Sequence, residues 1–375
     1  MNFIISSESL LKIIQPVIGI IVNNPALPII ENILLELNDG TLYVKATDLE
    51  TTIINSTQVE SKSNASIAIN AKLLSETLRT FPEQPLTFKT NDQNNTLEIT
   101  SEQGSYTLSF TNSDEFPSTP EIGESASMSI DSKIIESGIK NTLFATGNDE
   151  LRPVMSGVYM ELENNVIRLV STDAHKLVRY ENNLESETKN STSCIIPKKP
   201  LQLIKNIING KNDTIKIEYN NTNIIFSFQT MKIYCRLIDG NYPNYTAVIP
   251  KENAHQLDID RNTVLSSLKR VCIFSNQTTY QVKFKITGNE IRISGEDIDF
   301  SNKAIETMKC EYSGQDIEIG FNGKFLIEIL NTLETEKIHM LFSSPSKAAI
   351  IKPNNDNEIE NILMLVMPVM LNPNT

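Results

Sequence analysis

Threefold repetition constrains the fold of this chain more than any other feature. Asp48, Asp173 and Asp297 are almost evenly spaced, and aligning the chain on them brings matching residues together. Six places before each aspartate stand Leu42, Ile167 and Ile291, and four before stand Val44, Leu169 and Ile293. Two before stand the small residues Ala46, Ser171 and Gly295. A turn pair lies upstream of each run: Asp39-Gly40, Asn164-Asn165 and Gly288-Asn289. Before each turn comes a second alternating run, Ile33/Leu35/Leu37, Val158/Met160/Leu162 and Val282/Phe284/Ile286. Apolar residues at every second place around a two-residue turn specify an antiparallel hairpin with one buried face.

Helical punctuation repeats with the hairpins. The segments "SESLLKIIQPVIGII", "DSKIIESGIKNTLFAT" and "DRNTVLSSLKRVCIF" each open on a Ser or Asp cap and continue with helical apolar spacing. The segments "AKLLSETLRTF", "KKPLQLIKNIING" and "NGKFLIEILNTL" supply a second helix per unit, followed by strand-like runs such as "DTIKIEY" and "EKIHMLF". The predicted fold is α+β, with three similar domains at 1–125, 126–253 and 254–375. Each carries two helices packed on antiparallel sheets. A chain of 375 residues that is 39% hydrophobic and 21% charged is long enough and apolar enough for three such cores.

Several function classes are excluded on this reading. The start "MNFIISSESLL" has no basic region or cleavable apolar core, and "IIQPVIGIIV" is interrupted and too short to span a membrane, so a soluble, cytoplasmic protein is expected. Four cysteines without a CxxC pair read as free thiols. The three aspartates stand where a strand turns, and their expected role is to cap nearby backbone N–H groups. A metal-dependent enzyme built on Asp173 and His175 is one alternative, but it needs further ligands, and His255 and His339 belong to another repeat. A repeat-built structural scaffold is the other. No phosphate loop, dinucleotide fingerprint, nucleophile elbow or paired-carboxylate signature is present, so no catalytic residue, metal or cofactor is expected.

Four segments in order, "LPIIENILLEL…VKATDLE", "RPVMSGVYMELENNVIRLVSTDAHKL", "LIDGNYPNYTAVIP" and "LVMPVML", resemble the beta subunit of bacterial DNA polymerase III, the sliding-clamp family. The resemblance covers essentially the whole chain. It implies the DNA clamp fold and a head-to-tail homodimer forming a six-domain ring around duplex DNA, with Tyr106 and Leu108 of one copy meeting Ile273 and Phe274 of the other. It also implies a hydrophobic groove for partner peptides, lined by Met155, Thr172, His175, Lys176, Leu177, Pro243, Val248, Val366, Met367, Pro368, Val369 and Met370. The partners implied are the replicative polymerase catalytic subunit, a clamp loader and other proteins carrying clamp-binding motifs. Ala174, Lys176, Ala247 and Met370 depart from residues usual in that family, so the groove is expected to be less basic than in its relatives.

The net charge of −13 argues against a basic exterior but not against a locally basic surface. The second helix of the middle repeat carries Lys198, Lys199 and Lys205, with Lys211 just after, and no acid. Elsewhere Lys72 and Arg79 outnumber Glu76, and Arg261, Lys269 and Arg270 outnumber Asp260. If the helices line a ring, Lys72, Arg79, Lys198, Lys199, Lys205 and Lys269 are the expected contacts to DNA. They would touch phosphates without reading bases.

Overall fold

A computed structural model describes residues 1–23, 25–61, 63–184, 191–210, 212–354 and 359–371. Among them six α-helices form where the capped segments stand: α1 (Ser7–Val17), α2 (Ala71–Thr80), α3 (Ser132–Thr142), α4 (Lys198–Ile208), α5 (Arg261–Val271) and α6 (Gly323–Thr332). Their starts are fixed by side chains accepting from otherwise unpaired amides. Ser6 accepts from the Ser9 N–H, Asn70 from Leu73, Asp260 from Thr263 and Asn322 from Lys324. A short 3-10 turn follows the first helix of each repeat, at Ile18–Ile20, Leu143–Ala145 and Cys272–Phe274. None of the described helices is long and apolar enough to cross a membrane.

Packing divides the chain into two compact units, each built from one outer repeat and part of the middle one: Met1–Ile135 with Lys199–Leu237, and Glu136–Lys198 with Ile238–Thr375. The first unit holds a thirteen-stranded antiparallel sheet. Ala126–Asp131, Thr214–Tyr219, Asn223–Phe228 and Met231–Arg236 come from the middle repeat and lead into Thr51–Gln58, Thr41–Thr47, Asn32–Asn38 and Ala65–Asn70. Ser105–Asn112, Thr96–Thr100, Pro85–Asn91, Asn2–Ser6 and Glu60–Ser61 complete it.

The second unit holds a nine-stranded sheet and a four-stranded one. The larger runs Thr192–Pro197, Gly157–Glu163, Val166–Thr172, Lys176–Asn183, Glu360–Val366, Ala349–Pro353, Lys337–Phe342, His255–Asp260 and Glu311–Ser313. The smaller runs Asn302–Lys309, Glu290–Asp297, Gln281–Thr287 and Ile317–Asn322. The residues that define the repeat, from Leu42, Val44 and Ala46 to Ile291, Ile293 and Gly295, are all buried, as a period-two pattern with one inward face requires.

Both units contain the same junction. In the first, the strand after Asp48 pairs with the last strand of the next repeat, and Thr51 lies opposite Cys235. In the second, the strand after Asp173 pairs with the last strand of the third repeat, and Lys176 lies opposite Val366. The strand after Asp297, Asn302–Lys309, pairs with Glu290–Asp297 on one side and has no partner among the described residues on the other.

Candidate functional site

The loop behind each junction has one hydrogen-bonding scheme, and it explains the repeated aspartate. The Thr172 hydroxyl donates to the Lys176 carbonyl at 2.7 Å and accepts from the Ala174 N–H at 3.1 Å. Asp173 Oδ1 accepts from the His175 and Lys176 N–H groups at 2.9 and 2.8 Å. In the first repeat Thr47 and Asp48 make the same bonds to Thr51, Leu49 and Glu50. Asp297 likewise accepts from the Asp299 N–H, at 3.2 Å. The capping role expected for these carboxylates is the one they perform. The remaining oxygens of the first two hold lysines: Lys199 Nζ lies 2.5 Å from Asp48, and Lys176 Nζ 2.6 Å from Asp173.

Lys176 is nearly enclosed, with a second ion pair to Glu328 at 3.1 Å and its ammonium 4.7 Å from the centre of the Phe325 ring. His175 is exposed and lies against that same ring, the two centres 5.8 Å apart. The residues proposed for a metal or catalytic centre, Asp173 and His175, are thus occupied by capping and stacking. Phe325 and Glu328, which organise this corner, carry no signal in a sequence reading because their role depends on a loop roughly 150 residues away.

The groove candidates fall in two neighbourhoods of the second unit. Leu177 belongs to a buried cluster with Val170, Tyr245, Leu363 and Leu365, against which Tyr159 and Tyr242 pack. The rings of Tyr159 and Tyr242 stack at 4.8 Å. The Tyr245 hydroxyl donates to Glu161 at 3.0 Å, and burial pushes the Tyr242 and Tyr245 phenols up, keeping both neutral. Half-buried Pro243 and exposed Val248 flank these rings in sequence. Thr172 is buried in its loop, and half-buried Met155 lies close by, its Cβ and Asp173 Cα both within 4 Å of where a Cβ on Gly147 would sit.

The second neighbourhood follows strand Glu360–Val366, whose end residue Val366 is fully buried. The Met367 N–H donates to the His175 carbonyl at 2.8 Å, and the Val369 N–H to the Gly320 carbonyl at 2.9 Å. A side chain at Gly320 would meet the Val369 carbonyl at 2.6 Å, so glycine is what lets the segment cross here. Met367 and Met370 are exposed, while Pro368 and Val369 are half-buried. Exposed methionines are flexible and adapt to varied apolar surfaces.

The other candidates are placed unevenly. Lys72, Arg79 and Lys269 are exposed on their helices, and Lys198 and Lys205 are partly exposed. The Lys199 ammonium is engaged by Asp48 and by the Ile20 carbonyl at 2.9 Å, so it serves the first junction. Lys211 lies outside the described residues. Tyr106, Ile273 and Phe274 are exposed, whereas Leu108 is buried in its own unit.

Comparison with known proteins decides the family. Residues 1–120 match the family described as DNA polymerase III beta subunit, N-terminal domain; residues 129–244 match its central domain and 246–368 its C-terminal domain. The chain belongs to the DNA polymerase III beta subunit family. The beta sliding clamp of Haemophilus influenzae is 26% identical over 365 residues, covering 97% of this chain and 99% of that protein. That of Bacillus subtilis is 23% identical, covering 98% and 99%. A crystal structure of the Thermotoga maritima beta subunit superposes with a TM-score of 0.91 at 25% identity, covering 99% of this chain and all of that one. A Pseudomonas aeruginosa clamp superposes at 0.94 and 24%. Membership in the beta subunit family makes the chain a sliding-clamp processivity factor, a non-catalytic subunit of DNA polymerase III. The metal-enzyme and scaffold alternatives fall with it.

Proposed function

We propose that two copies join head to tail into a ring around duplex DNA, and that the corner at Leu177 and Met367–Met370 holds peptides of the polymerase and other partners. The repeats would act as domains 1–125, 126–253 and 254–375. One observation carries the ring: the chain contains two junctions and the two halves of a third. Leu108, Cys235 and Val366 hold one place in the last strands of their repeats, opposite Leu97, Ile224 and Ala349 in the preceding strand. Thr51, Lys176 and Asn302 hold one place after the aspartate. Residues 105–109 of Ser105–Asn112 lie beyond its pairing with Ala65–Asn70, and applying the junction register to them and to the edge of Asn302–Lys309 brings Leu108 opposite Asn302 and Tyr106 opposite Ala304. Strand addition of this kind satisfies the exposed edge of Asn302–Lys309. A heterologous contact made twice by a two-fold pair closes.

On this reading Lys72, Arg79, Lys198, Lys205 and Lys269 contact phosphates, while Lys199 is engaged at its junction. The attraction to DNA is sequence-independent and salt-sensitive. Retention comes from closure, and tethering raises the local concentration of polymerase at the primer end. A clamp loader would open the joint.

Retention on DNA tests the ring. The protein loaded on a nicked circular plasmid should survive gel filtration in high salt and be lost once the DNA is cut. Equal loss from circle and linear DNA refutes encirclement. For the groove, deleting residues 367–371 should abolish polymerase binding while the dimer persists, and unchanged polymerase binding refutes the carried-over site.

A further inference from the structure

The aspartate loop of the third repeat differs from its siblings in length and chemistry. Between Asp48 and Thr51 lie Leu49 and Glu50, and between Asp173 and Lys176 lie Ala174 and His175. Between Asp297 and Asn302 lie Ile298, Asp299, Phe300 and Ser301, a longer stretch carrying two large apolar side chains. Ile298 is 64% exposed and Phe300 76%. Among the described residues neither side chain is covered, and the edge strand Asn302–Lys309 begins immediately after.

The intact junctions indicate what such a loop meets. At the second junction, His175 and Lys176 lie on Phe325, the third residue of α6. At the first, Asp48 holds Lys199, the second residue of α4. Each loop therefore reaches the start of the second helix of the following repeat. The corresponding helix for the third loop is α2 in another copy, where the residue matching Phe325 is Leu73. Leu73 is 51% exposed, an apolar side chain on the first turn of a surface helix.

We infer that Ile298 and Phe300 form an apolar latch that seats on Leu73 of a second copy of this chain. The inference rests on the ring reading and adds to it a contact beyond the paired strands and the Ile273–Phe274 turn. Counted back from the strand, Ser301 and Phe300 occupy the places of His175 and Ala174. The aromatic side chain thus stands one place further from the strand than His175 does, and the helix residue matching Phe325 is the aliphatic Leu73. The extra length lets the loop cross a gap between separate molecules, where no covalent chain holds the two sides in register. Because the contact is apolar, it resists salt, unlike the grip on phosphate.

Dilution experiments with the full-length protein test the latch, using fluorescence transfer between labelled copies to read the dimer Kd. The pair Ile298→Ser with Phe300→Ser should raise Kd by about tenfold or more, and Leu73→Ser should do likewise, since each removes apolar surface that the joint buries. Combining the loop and helix substitutions should weaken the dimer less than the product of the separate effects, because both remove one contact. The weakening should be equal at low and high salt. Thermal melts at low protein concentration, where copies are apart, should match wild type, and the milder Phe300→Ala serves if the serine pair misfolds. An unchanged Kd, or fully multiplicative effects, overturns the latch while leaving the ring intact. A wild-type chain that stays monomeric at every concentration overturns both.

Discussion

Ile20 and Ala145, in the turns that follow α1 and α3, are fully buried, whereas Phe274, in the matching turn after α5, is 42% exposed and its neighbour Ile273 is 69% exposed. Backbone and position are shared, so the difference is one of neighbours. The first two turns are covered by the repeat that follows: Gly19 packs on Leu203 of α4, and Phe144 on the core of the third repeat. The third turn has no such cover among the described residues. Large apolar groups remain where a globular chain would place polar ones, as the proposed joint with a second copy requires. The thiol of Cys272 in that turn is pushed up to about 11 by burial, so it packs as a neutral sulfur.

The largest effect expected from this contrast comes from charging the open turn. Ile273→Asp with Phe274→Asp should convert the dimer to monomers by sedimentation velocity. Loss of two apolar side chains at each joint removes on the order of 4 kcal/mol, about a thousandfold in Kd. The monomer should melt as wild type does. Ala145→Asp, at the covered counterpart, should instead unfold the second unit, because a buried carboxylate there has no partner. A dimer that survives the double substitution would break the comparison at its root.

The two aspartate loops sharpen it further. Lys176 is enclosed between Asp173, Glu328 and Phe325, while the Lys199 side chain remains 44% exposed beside Asp48. Lys176→Met should destabilise by about 2–4 kcal/mol, since it leaves the enclosed Asp173 carboxylate without its cation. Lys199→Met should lose less, under about 1 kcal/mol, because that lysine stays close to water. Equal losses in chemical denaturation would mean that burial does not distinguish the junctions.

Legibility in the sequence follows the same division between local and distant causes. The hairpins and capped helices were readable because period-two burial and N-caps depend on residues a few places apart, and Leu42, Ile167 and Ile291 all point inward as expected. The aspartate caps were readable for the same reason. The Lys199–Asp48 ion pair was not, because its two members lie far apart in sequence. The longer third loop escaped notice because the alignment that reveals the repeat runs upstream of each aspartate. The register that pairs the open edges emerges only when three sheets are compared strand by strand.

Acid should separate the third repeat from the others. Its edge strand is tied to α5 by Arg270, whose guanidinium donates twice to Glu306 at 2.6 Å. This fork holds the Glu306 carboxyl below its usual 4.5. A depressed folded value means the stabilisation is present above the ordinary carboxylate range and is lost as pH falls through the folded value. Glu306→Gln should therefore melt lower than wild type at neutral pH and lose less between about pH 5 and about pH 3. Parallel acid profiles would show that the fork contributes nothing. The counterpart strands in the other repeats are held by sheet partners on both sides and carry no such pH dependence from this position.

The smallest expected effect concerns the backbone that the first two loops share. Leu49 and Ala174 follow their aspartates at φ of 78° and 76°, a left-handed conformation that side chains disfavour. Glycine adopts it freely, but it also gives the unfolded chain more freedom to lose, so the two terms largely cancel. Ala174→Gly should stabilise by about 0.5 kcal/mol. Leu49→Gly should gain a similar amount, since Leu49 is exposed and little packing is lost. Matching gains would show that the loop is one structural unit used twice, its strain set by the Thr-Asp hydrogen bonds and not by the helix it touches. A gain at Leu49 alone would instead place the second loop's conformation under the control of the groove, because His175 beside Ala174 presents its carbonyl to the Met367 N–H.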